Sequence, residues 1–120
     1  MAKHNDLGKL GEDITCKYLE KEGFEIWGRN LDYKVSEIDI IAIKNKKVHF
    51  LEVKSGQAGS FYTRENMTRH KQHKLHRAIE VHLLKYKDVQ NWQIDIAFVH
   101  IDFQKRLGRV EMLWDQILEG

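Results

Sequence analysis

The sequence predicts a mixed α/β domain in which two helices alternate with five strands. Two segments carry apolar residues at helical spacing, and five shorter runs are alternating or continuously apolar, as strands are. Their order along the chain is αβββαββ. The strands predicted over 38–43 and 48–53 are apolar on both faces, so their sheet needs a helix on each side. At 120 residues, the chain is long enough to form one domain, spanning 1–120, with a substantial core.

The two predicted helices have defined ends and inward faces. Asn5 or Asp6 can cap the first helix, which ends at about Glu22 before the stop signal Gly23. Its predicted inward stripe consists of Leu7, Leu10, Ile14, Tyr18 and Leu19. The second helix is predicted over 66–87. Its predicted inward stripe consists of Leu75, Ala78, Ile79, His82, Leu83 and Tyr86.

Three further strands are predicted in addition to the central pair. The first is predicted over 24–27, and the last two over 93–101 and 109–113. The stretch 55–60, which is rich in glycine and serine, is predicted to be a flexible segment leading into the second helix.

The two central strands are predicted to form a hairpin joined by the polar residues 44–47. If that connection holds an even number of residues, the register places Asp39 opposite Glu52 and Glu37 opposite Lys54. Directly opposed side chains point to the same face, with Cβ atoms roughly 4.5–5.5 Å apart. Two carboxylates and a lysine would therefore converge at one end of one face.

This convergence favours a metal site. Like charges directly opposed on a sheet cost about 0.2–1 kcal/mol, so Asp39 facing Glu52 calls for a positive charge between them. Lys54 supplies part of that charge, and a divalent cation supplies more. Hard oxygen ligands select Mg²⁺ or Mn²⁺ over Zn²⁺. A metal-activated water, oriented by Lys54 or with Lys54 stabilising the developing negative charge, would serve phosphodiester hydrolysis.

A purely structural interpretation stays open at this point. Glu37 with Lys54, and Glu52 shared with Lys54, could form a cross-strand ion-pair cluster of little energetic value. That interpretation holds if the connection has three residues, because Asp39 then leaves the face occupied by Glu52.

Two helical positions also have two interpretations each. Lys71 continues the inward stripe of the second helix, and Gln72 lies on the other flank of that stripe. Lys71 either packs its aliphatic stem along the core edge or reaches towards a phosphate. Glu12, in an early turn of the first helix, either complements the helix dipole or acts as an outer carboxylate for the metal or its water.

The charge distribution is compatible with a polyanion partner. The formal net charge is only +2, but the stretch 64–77 concentrates basic residues against the single acid Glu65. A solvated helix face would look the same. The basic residues of this stretch are Arg64, Arg69, Lys71, Lys74 and Arg77, together with His70, His73 and His76.

The remaining composition predicts a cytoplasmic protein without a membrane partner. A single cysteine, Cys16, excludes an internal disulfide and is typical of a reducing compartment. No apolar run reaches the length of a membrane span, and the N-terminus lacks the apolar region of a signal peptide.

The chain resembles the PD-(D/E)XK nuclease superfamily, in the form taken by the YraN family. The resemblance begins at the hairpin and extends over most of the chain, to about residue 101. The matching motifs are Glu37-Ile38-Asp39, Glu52-Val53-Lys54, Gly8-Lys9-Leu10-Gly11-Glu12, Arg29-Asn30, Thr68-Arg69-His70-Lys71-Gln72 and Ile94-Asp95.

The resemblance implies a restriction-endonuclease-like αβββαβ core, a mixed central sheet flanked by helices on both faces, and Mg²⁺ or Mn²⁺ as cofactor. Related Holliday-junction resolvases imply a homodimer that acts on DNA rather than RNA. The resemblance assigns residues as follows: Asp39 and Glu52 as metal ligands, Lys54 as the catalytic lysine, Glu12 as a metal-associated acid, and Lys71 and Gln72 as substrate-side groups.

The chain departs from the family pattern at two places. Ser36 stands where a glycine usually precedes Glu-Ile-Asp, and Ser55-Gly56 follows the lysine where an arginine is customary. Arg64 or Arg69 could replace that arginine in contacting phosphate.

The sequence thus predicts a metal-dependent endonuclease that cuts branched or structured DNA without a covalent intermediate. The alternative is a non-catalytic nucleic-acid-binding module that keeps the nuclease-like fold. A third interpretation, ranked last, is a protein-interaction adaptor whose charged cluster is incidental.

Overall fold

A computed structural model of the chain describes residues 3–34, 36–57 and 69–116. The elements follow the predicted order αβββαββ. Their bounds are α1 Lys3–Lys21, β1 Glu25–Asp32, β2 Glu37–Lys44, β3 Lys47–Gln57, α2 Arg69–Lys85, β4 Trp92–Asp102 and β5 Leu107–Leu113.

The strands form one five-stranded mixed sheet in the order β1-β2-β3-β4-β5. Neighbouring strands are antiparallel except for β3 and β4, which are parallel. A parallel pair needs a crossover, and α2 lies within it. The crossover places α2 on one face of the sheet, and α1 packs on the other. The predicted mixed α/β fold with a helix on each face is therefore confirmed.

Each face of the sheet has its own apolar core. The α2-side core, centred on Phe50, consists of Ile38, Ile41, Val48, Phe50, Leu75, Ala78, Ile79, Ile94, Ile96 and Phe98. The α1-side core consists of Cys16, Leu19, Phe24, Ile40, Ala42 and Leu51. Burial of these side chains from water is the main force holding both helices to the sheet.

The inward face of α1 differs from the predicted stripe. Leu19 is buried as predicted, but Leu10 is 36 % exposed, and the buried face includes Gly11, Thr15 and Cys16 instead. The physical reason is close helix–strand contact: a Cβ on Gly11 would lie 1.6 Å from Ser55 Oγ. A side chain at position 11 would push α1 away from β3, so glycine decides which face of α1 turns inward.

The inward face of α2 is largely as predicted. Leu75, Ala78, Ile79 and His82 are all at most 2 % exposed. Tyr86 follows the last residue of α2 and is 37 % exposed, with its ring packed against those of His82 and Trp27 at the edge of the core.

All five strands run further than predicted, β1 and β3 by the most residues. β1 continues to Asp32, and β3 includes Ser55, Gly56 and Gln57, so the prediction of a flexible segment beginning at residue 55 is wrong for these three residues. They remain extended because β4 pairs with them in parallel, up to Gln57 opposite Ile101. The rest of that predicted segment lies outside the described residues.

The alternation of side chains breaks next to Asp39. Regular alternation would put Ile38 and Ile40 on the same face, but Ile38 packs in the α2-side core while Ile40 packs in the α1-side core. On the adjacent strand, Arg29 bonds to Asp13 of α1. Leu31, two residues later, packs in the α2-side core.

The break coincides with a left-handed backbone residue. Asn30 has φ of 51°. It lies between the paired positions Arg29–Ile40 and Leu31–Ile38, as does Asp39 on β2. A left-handed residue reverses the pleat locally, and asparagine tolerates that conformation better than most residues. The sheet is therefore irregular at the position where the acidic residue lies.

Within the described ranges, no helix is both long and apolar enough to cross a membrane.

Candidate active site

The hairpin has the register on which the predicted site depends. Asn45 and Lys46 form a two-residue turn with φ of 53° and 64°, and Lys44 pairs with Lys47. Positive φ at both central residues is the conformation of a type I′ turn, which suits the twist of a tight hairpin. The connection is thus even, and the ladder continues up to Ile40 opposite Leu51.

One position beyond the last ladder pair, Asp39 reaches β3. Continuing the register by one step brings Asp39 opposite Glu52. The backbone N–H of Val53 donates a hydrogen bond of 2.8 Å to Asp39 Oδ2. The carboxylate therefore satisfies a strand donor at the end of the paired region, and this contact holds Asp39 beside the β3 residues that carry the other charges.

The Asp39 carboxyl group is electrostatically unfavourable as an anion. Burial, followed by the charge of Glu52, raises the pKa of Asp39 from 3.8 to about 7. A hydrogen bond that protonated Asp39 donates to the Glu52 side chain and the charge of Glu37 raise this pKa further, whereas the Val53 N–H lowers it. The two carboxyl groups of Asp39 and Glu52 therefore interact directly, as the predicted register requires.

Lys54 lies beside this pair of acids. Its Nζ is 3.5 Å from Glu52 Oε1, and the two side chains are 15 % and 19 % exposed. Because Glu52 and Lys54 are two residues apart on β3, they share a face. No ion pair joins Lys54 to Glu37 among the residues that the structure describes, so Lys54 is associated with the acidic pair itself.

A cavity of about 410 Å³ opens over these acids. Its lining residues are Ser36, Glu37, Asp39, Glu52, Lys74 and Leu75. Three carboxyl groups and one ammonium group thus face a space large enough for a phosphodiester group. The exposed Glu37 lies at the edge of the site, and its charge adds to that of the half-buried pair Asp39 and Glu52.

Glu12 approaches the same centre from α1. Its side chain is 14 % exposed, and Glu12 Oε1 lies 3.6 Å from Arg29 Nη2. Burial and, secondly, the charge of Asp39 raise the pKa of Glu12, while hydrogen bonding by Asn30 and Arg29 lowers it. The charge of Asp39 therefore acts on Glu12, and the sequence motif containing Glu12 lies close to the acidic pair.

Arg29 holds the α1 acids in place. Its Nη2 donates a hydrogen bond of 2.7 Å to Asp13 Oδ1 in addition to its ion pair with Glu12. The sequence indicates Arg29-Asn30 as a family motif but gives Arg29 no role. Nothing local in the sequence reveals that the pleat reversal turns Arg29 towards α1.

Lys74 is the other residue that sequence reasoning missed. It was counted only among the basic residues of α2, yet its side chain lines the acidic cavity. A usable signal existed, since Lys74 follows Lys71 by three residues and so lies on nearly the same helix face.

The predicted substrate-side residues are not tested by the structure. Arg64 lies outside the described residues. Arg69, Lys71 and Gln72 belong to the first turn of α2, but their side chains are outside what is described.

The donor set fits a small, hard divalent cation. Asp39 and Glu52 offer carboxylate oxygens whose mutual repulsion a cation would relieve. Over the described ranges, no group of three or more His, Cys, Asp or Glu side chains is arranged to hold a metal. A cation held by two carboxylates would keep several water ligands or take substrate oxygens, which is how proteins commonly bind Mg²⁺.

Comparison with known proteins gives a consistent family. Residues 11–99 match the family described as "Uncharacterised protein family UPF0102". A UPF0102 protein of Campylobacter lari is 42 % identical over 104 residues, covering 87 % of this chain and 92 % of the relative. One from Clostridium perfringens is 36 % identical over 114 residues and covers 93 % of both chains.

A third relative, a UPF0102 protein of Campylobacter fetus, is 43 % identical over 93 residues, covering 78 % of this chain and 82 % of the relative. The region that matches the family, residues 11–99, contains Glu12, Asp39, Glu52 and Lys54. These matches confirm the family part of the resemblance, that to YraN proteins. The chain belongs to the UPF0102 family.

Proposed function

We propose that this protein is a metal-dependent endonuclease of the PD-(D/E)XK type that hydrolyses DNA phosphodiester bonds, in branched or structured DNA. The observation that carries the proposal is the hairpin register, which sets two half-buried carboxyl groups, Asp39 and Glu52, at opposed positions beside Lys54. Two carboxyl groups held this close together lower the stability of the folded chain. Destabilising arrangements of this kind are typical of functional sites.

Asp39 and Glu52 would hold Mg²⁺ or Mn²⁺. When bound, the cation supplies a positive charge next to the phosphate and lowers the pKa of a water molecule. The Val53 N–H keeps Asp39 orientated towards β3, and Arg29 keeps Glu12 near the same point.

Lys54 is the catalytic lysine in this proposal. Its ammonium group, 3.5 Å from Glu52, would orient the attacking water or stabilise negative charge on the phosphate oxygens. In the reaction, the water oxygen bonds to phosphorus and the bond from phosphorus to one ester oxygen breaks. That ester oxygen takes up a proton, so the products are a phosphomonoester end and a hydroxyl end.

Lys74 and the basic first turn of α2 provide the substrate side in this proposal. Lys74 lines the acidic cavity and would contact a phosphate bound there. Lys71 and Gln72 would extend that contact along the strand, as the family resemblance implies, and Arg64 or Arg69 would replace the missing arginine in contacting phosphate. A homodimer, also implied by the resemblance, would present two such sites to a junction.

The direct test is cleavage by the purified protein. Four-way junction, flap and linear duplex DNA are incubated with Mg²⁺, Mn²⁺ or EDTA, and products are resolved on denaturing gels. We expect metal-dependent cleavage, with the junction or the flap cut faster than the linear duplex. Asp39→Asn, Glu52→Gln and Lys54→Met should each reduce the rate by about 100-fold or more, because each removes a group acting at the reacting phosphate.

The matched control is Glu20→Gln, which neutralises an exposed acid on α1. It should cleave like the unmodified chain. Cleavage that persists in both Asp39→Asn and Glu52→Gln would reject the assigned site, and no cleavage of any substrate by a metal-bound chain would reject the activity.

A non-catalytic nucleic-acid-binding module is the second candidate. It is favoured by one observation, the lack of any three-residue metal-holding group within the described ranges. In that case, junction DNA would bind with a strong salt dependence, equally well in EDTA and in Mg²⁺, and would remain intact.

A further inference from the structure

A second cavity, also of about 410 Å³, opens at the turn end of the β2–β3 hairpin. It shares no lining residue with the acidic cavity at the other end of these strands. Its volume lies within the roughly 300–1,000 Å³ typical of small-ligand sites. The lining includes Phe24, Lys44, Lys47, His49, Gln93 and Trp114.

Trp114 forms an aromatic wall of this cavity. Its ring lies nearly parallel to that of Phe24, at 5° and 5.8 Å between centroids, and edge-on to His49 at 6.0 Å. Trp114 nevertheless remains 41 % exposed. Its position is thus fixed by two ring contacts while part of its surface stays available for stacking with a flat aromatic ligand.

A buried hydrogen-bond network fixes the polar floor of the cavity. His49 Nδ1 lies 2.7 Å from Asp95 Oδ2, and Gln93 Nε2 donates to Asp95 Oδ1 at 2.7 Å. Asp95 itself is fully buried. A carboxylate bonded to one imidazole nitrogen sets the orientation of the ring and the role of its other nitrogen. His49 and Gln93 are therefore pre-positioned polar groups, which reduces the entropic cost of binding a ligand there.

The charges at the rim favour an anion. Lys44 and Lys47 line the cavity against the single acid Glu22. Lys44 is already engaged, since its Nζ donates to the Glu22 carbonyl oxygen at 2.6 Å and lies 5.1 Å from the Phe24 ring centroid. In the described part of the chain, no carboxylate forms an ion pair with Lys47, which leaves its charge for a ligand.

We propose that this cavity binds one nucleotide, with the base stacked on Trp114 and the phosphate held by Lys47. The aromatic wall, the fixed polar groups and the unpaired cation at one rim match the three parts of a nucleotide, which are its base, sugar and phosphate. The nucleotide is either a free mononucleotide or an unpaired residue of a strand. The inference does not depend on the acidic pair, because none of Asp39, Glu52 or Lys54 lines this cavity.

The test is a binding titration of the full chain in EDTA, where metal-dependent cleavage cannot occur. One arm uses AMP and dTMP, with adenosine and inorganic phosphate as partial ligands, and a second arm uses a short single-stranded oligothymidine. Calorimetry and tryptophan fluorescence report binding. We expect saturable binding of the mononucleotides or the oligonucleotide, at least about tenfold tighter than adenosine or phosphate alone.

The variants locate the site. Trp114→Leu should weaken nucleotide binding by about tenfold or more, and Lys47→Ala by about fivefold. Lys47 is a partly exposed strand residue, so Lys47→Ala keeps the test valid if Trp114→Leu fails to fold. The matched controls are Trp27→Leu, a 48 % exposed tryptophan on β1, and Lys105→Ala in the turn between β4 and β5.

Each result decides the proposal. Mononucleotide binding lost with Trp114 and Lys47 supports a free nucleotide, and loss confined to the oligonucleotide arm supports a strand residue. No binding in either arm, or equal weakening by Lys47→Ala and Lys105→Ala, overturns the proposal. Asp39→Asn should leave binding unchanged, so failure here and failure of the nuclease proposal are separable.

Discussion

Asp95 on β4 and Asp39 on β2 lie on either side of β3 at nearly the same level, opposite Leu51 and Glu52, and are treated differently by the fold. Asp95 is fully buried and accepts hydrogen bonds from the Gln93 side chain and the Asp115 N–H, in addition to its contact with His49. Asp39 receives one backbone hydrogen bond, from Val53, and faces a second carboxyl group. The first carboxylate is surrounded by polar partners, whereas the second is repelled by its neighbour.

This difference indicates which aspartate is structural and which is functional. A buried charge is tolerated when hydrogen bonds compensate for the lost hydration, as they do for Asp95. Asp39 lacks that compensation, which raises its pKa to about 7. The missing partner is the divalent cation in our proposal, so the folded chain pays for its function with stability at this one position.

Asp95→Ala is expected to have the largest effect on stability. It leaves His49, Gln93 and the Asp115 N–H without their acceptor in a buried region. The free energy of unfolding should fall by about 3–5 kcal/mol, as for other broken buried pairs. Urea denaturation measures this loss. A loss below about 1 kcal/mol would show that Asp95 is not the structural member of the comparison.

Asp39→Asn is expected to act in the opposite direction in metal-free buffer. The folded-state pKa of about 7 lies above the unfolded value of 3.8. Between these values the folded chain retains a proton that the unfolded chain has released, so the free energy of unfolding falls as pH rises. Asparagine does not titrate, so Asp39→Asn removes this fall in the free energy of unfolding. At pH 8 the variant should be more stable by about 2–4 kcal/mol, an advantage that shrinks towards pH 4.

Thermal unfolding in EDTA at pH 5 and pH 8 measures this effect, with Glu20→Gln as the exposed-acid control. Equal stability of Asp39→Asn and the unmodified chain at pH 8 would mean that the two carboxyl groups do not repel each other in solution.

A smaller effect tests the packing that brings α1 to the acidic end. A Cβ on Gly11 would lie 1.6 Å from Ser55 Oγ and 2.8 Å from Ser55 Cβ, whereas nothing lies within 4 Å of one on Gly8. Gly11→Ala should cost about 1–3 kcal/mol through overpacking. Gly8→Ala should stabilise the chain by about 0.5–1 kcal/mol, because alanine favours helix.

Denaturant unfolding compares these two glycine variants. A second substitution, Ser55→Gly, should remove most of the cost of Gly11→Ala, since it deletes both contacting atoms. Equal effects of alanine at positions 8 and 11 would contradict the close approach of α1 to β3.

Local patterns predicted the elements and the hairpin register but not the irregularities. The polar connection 44–47 implied an even turn, and that alone brought Asp39 to Glu52. By contrast, the α1 face depends on the contact between Gly11 and Ser55, which are far apart in sequence. The side on which Ile38 packs depends on the left-handed φ of Asn30 on the neighbouring strand. Spacing within one segment carries no information on either.

The candidate site was predictable to a similar extent. Asp39, Glu52 and Lys54 follow from register and Glu12 from a motif; in the structure Lys54 contacts Glu52, and the charge of Asp39 acts on Glu12. Lys74 and Arg29 were missed. The three-residue spacing from Lys71 would have indicated Lys74, but the orientation of Arg29 depends on the pleat reversal, a tertiary feature that apolar periodicity does not encode.

The most direct test of the central claim is divalent metal binding by the acidic pair, measured as the thermal shift at pH 7.5 between EDTA and saturating Mn²⁺ or Mg²⁺. Ligand at about 100 times its dissociation constant stabilises a folded chain by about 2.7 kcal/mol, a shift of several degrees. We expect this rise for the unmodified chain and for Glu20→Gln, and its loss in Asp39→Asn and Glu52→Gln. An equal shift in all four chains, or none in the unmodified chain, would contradict it.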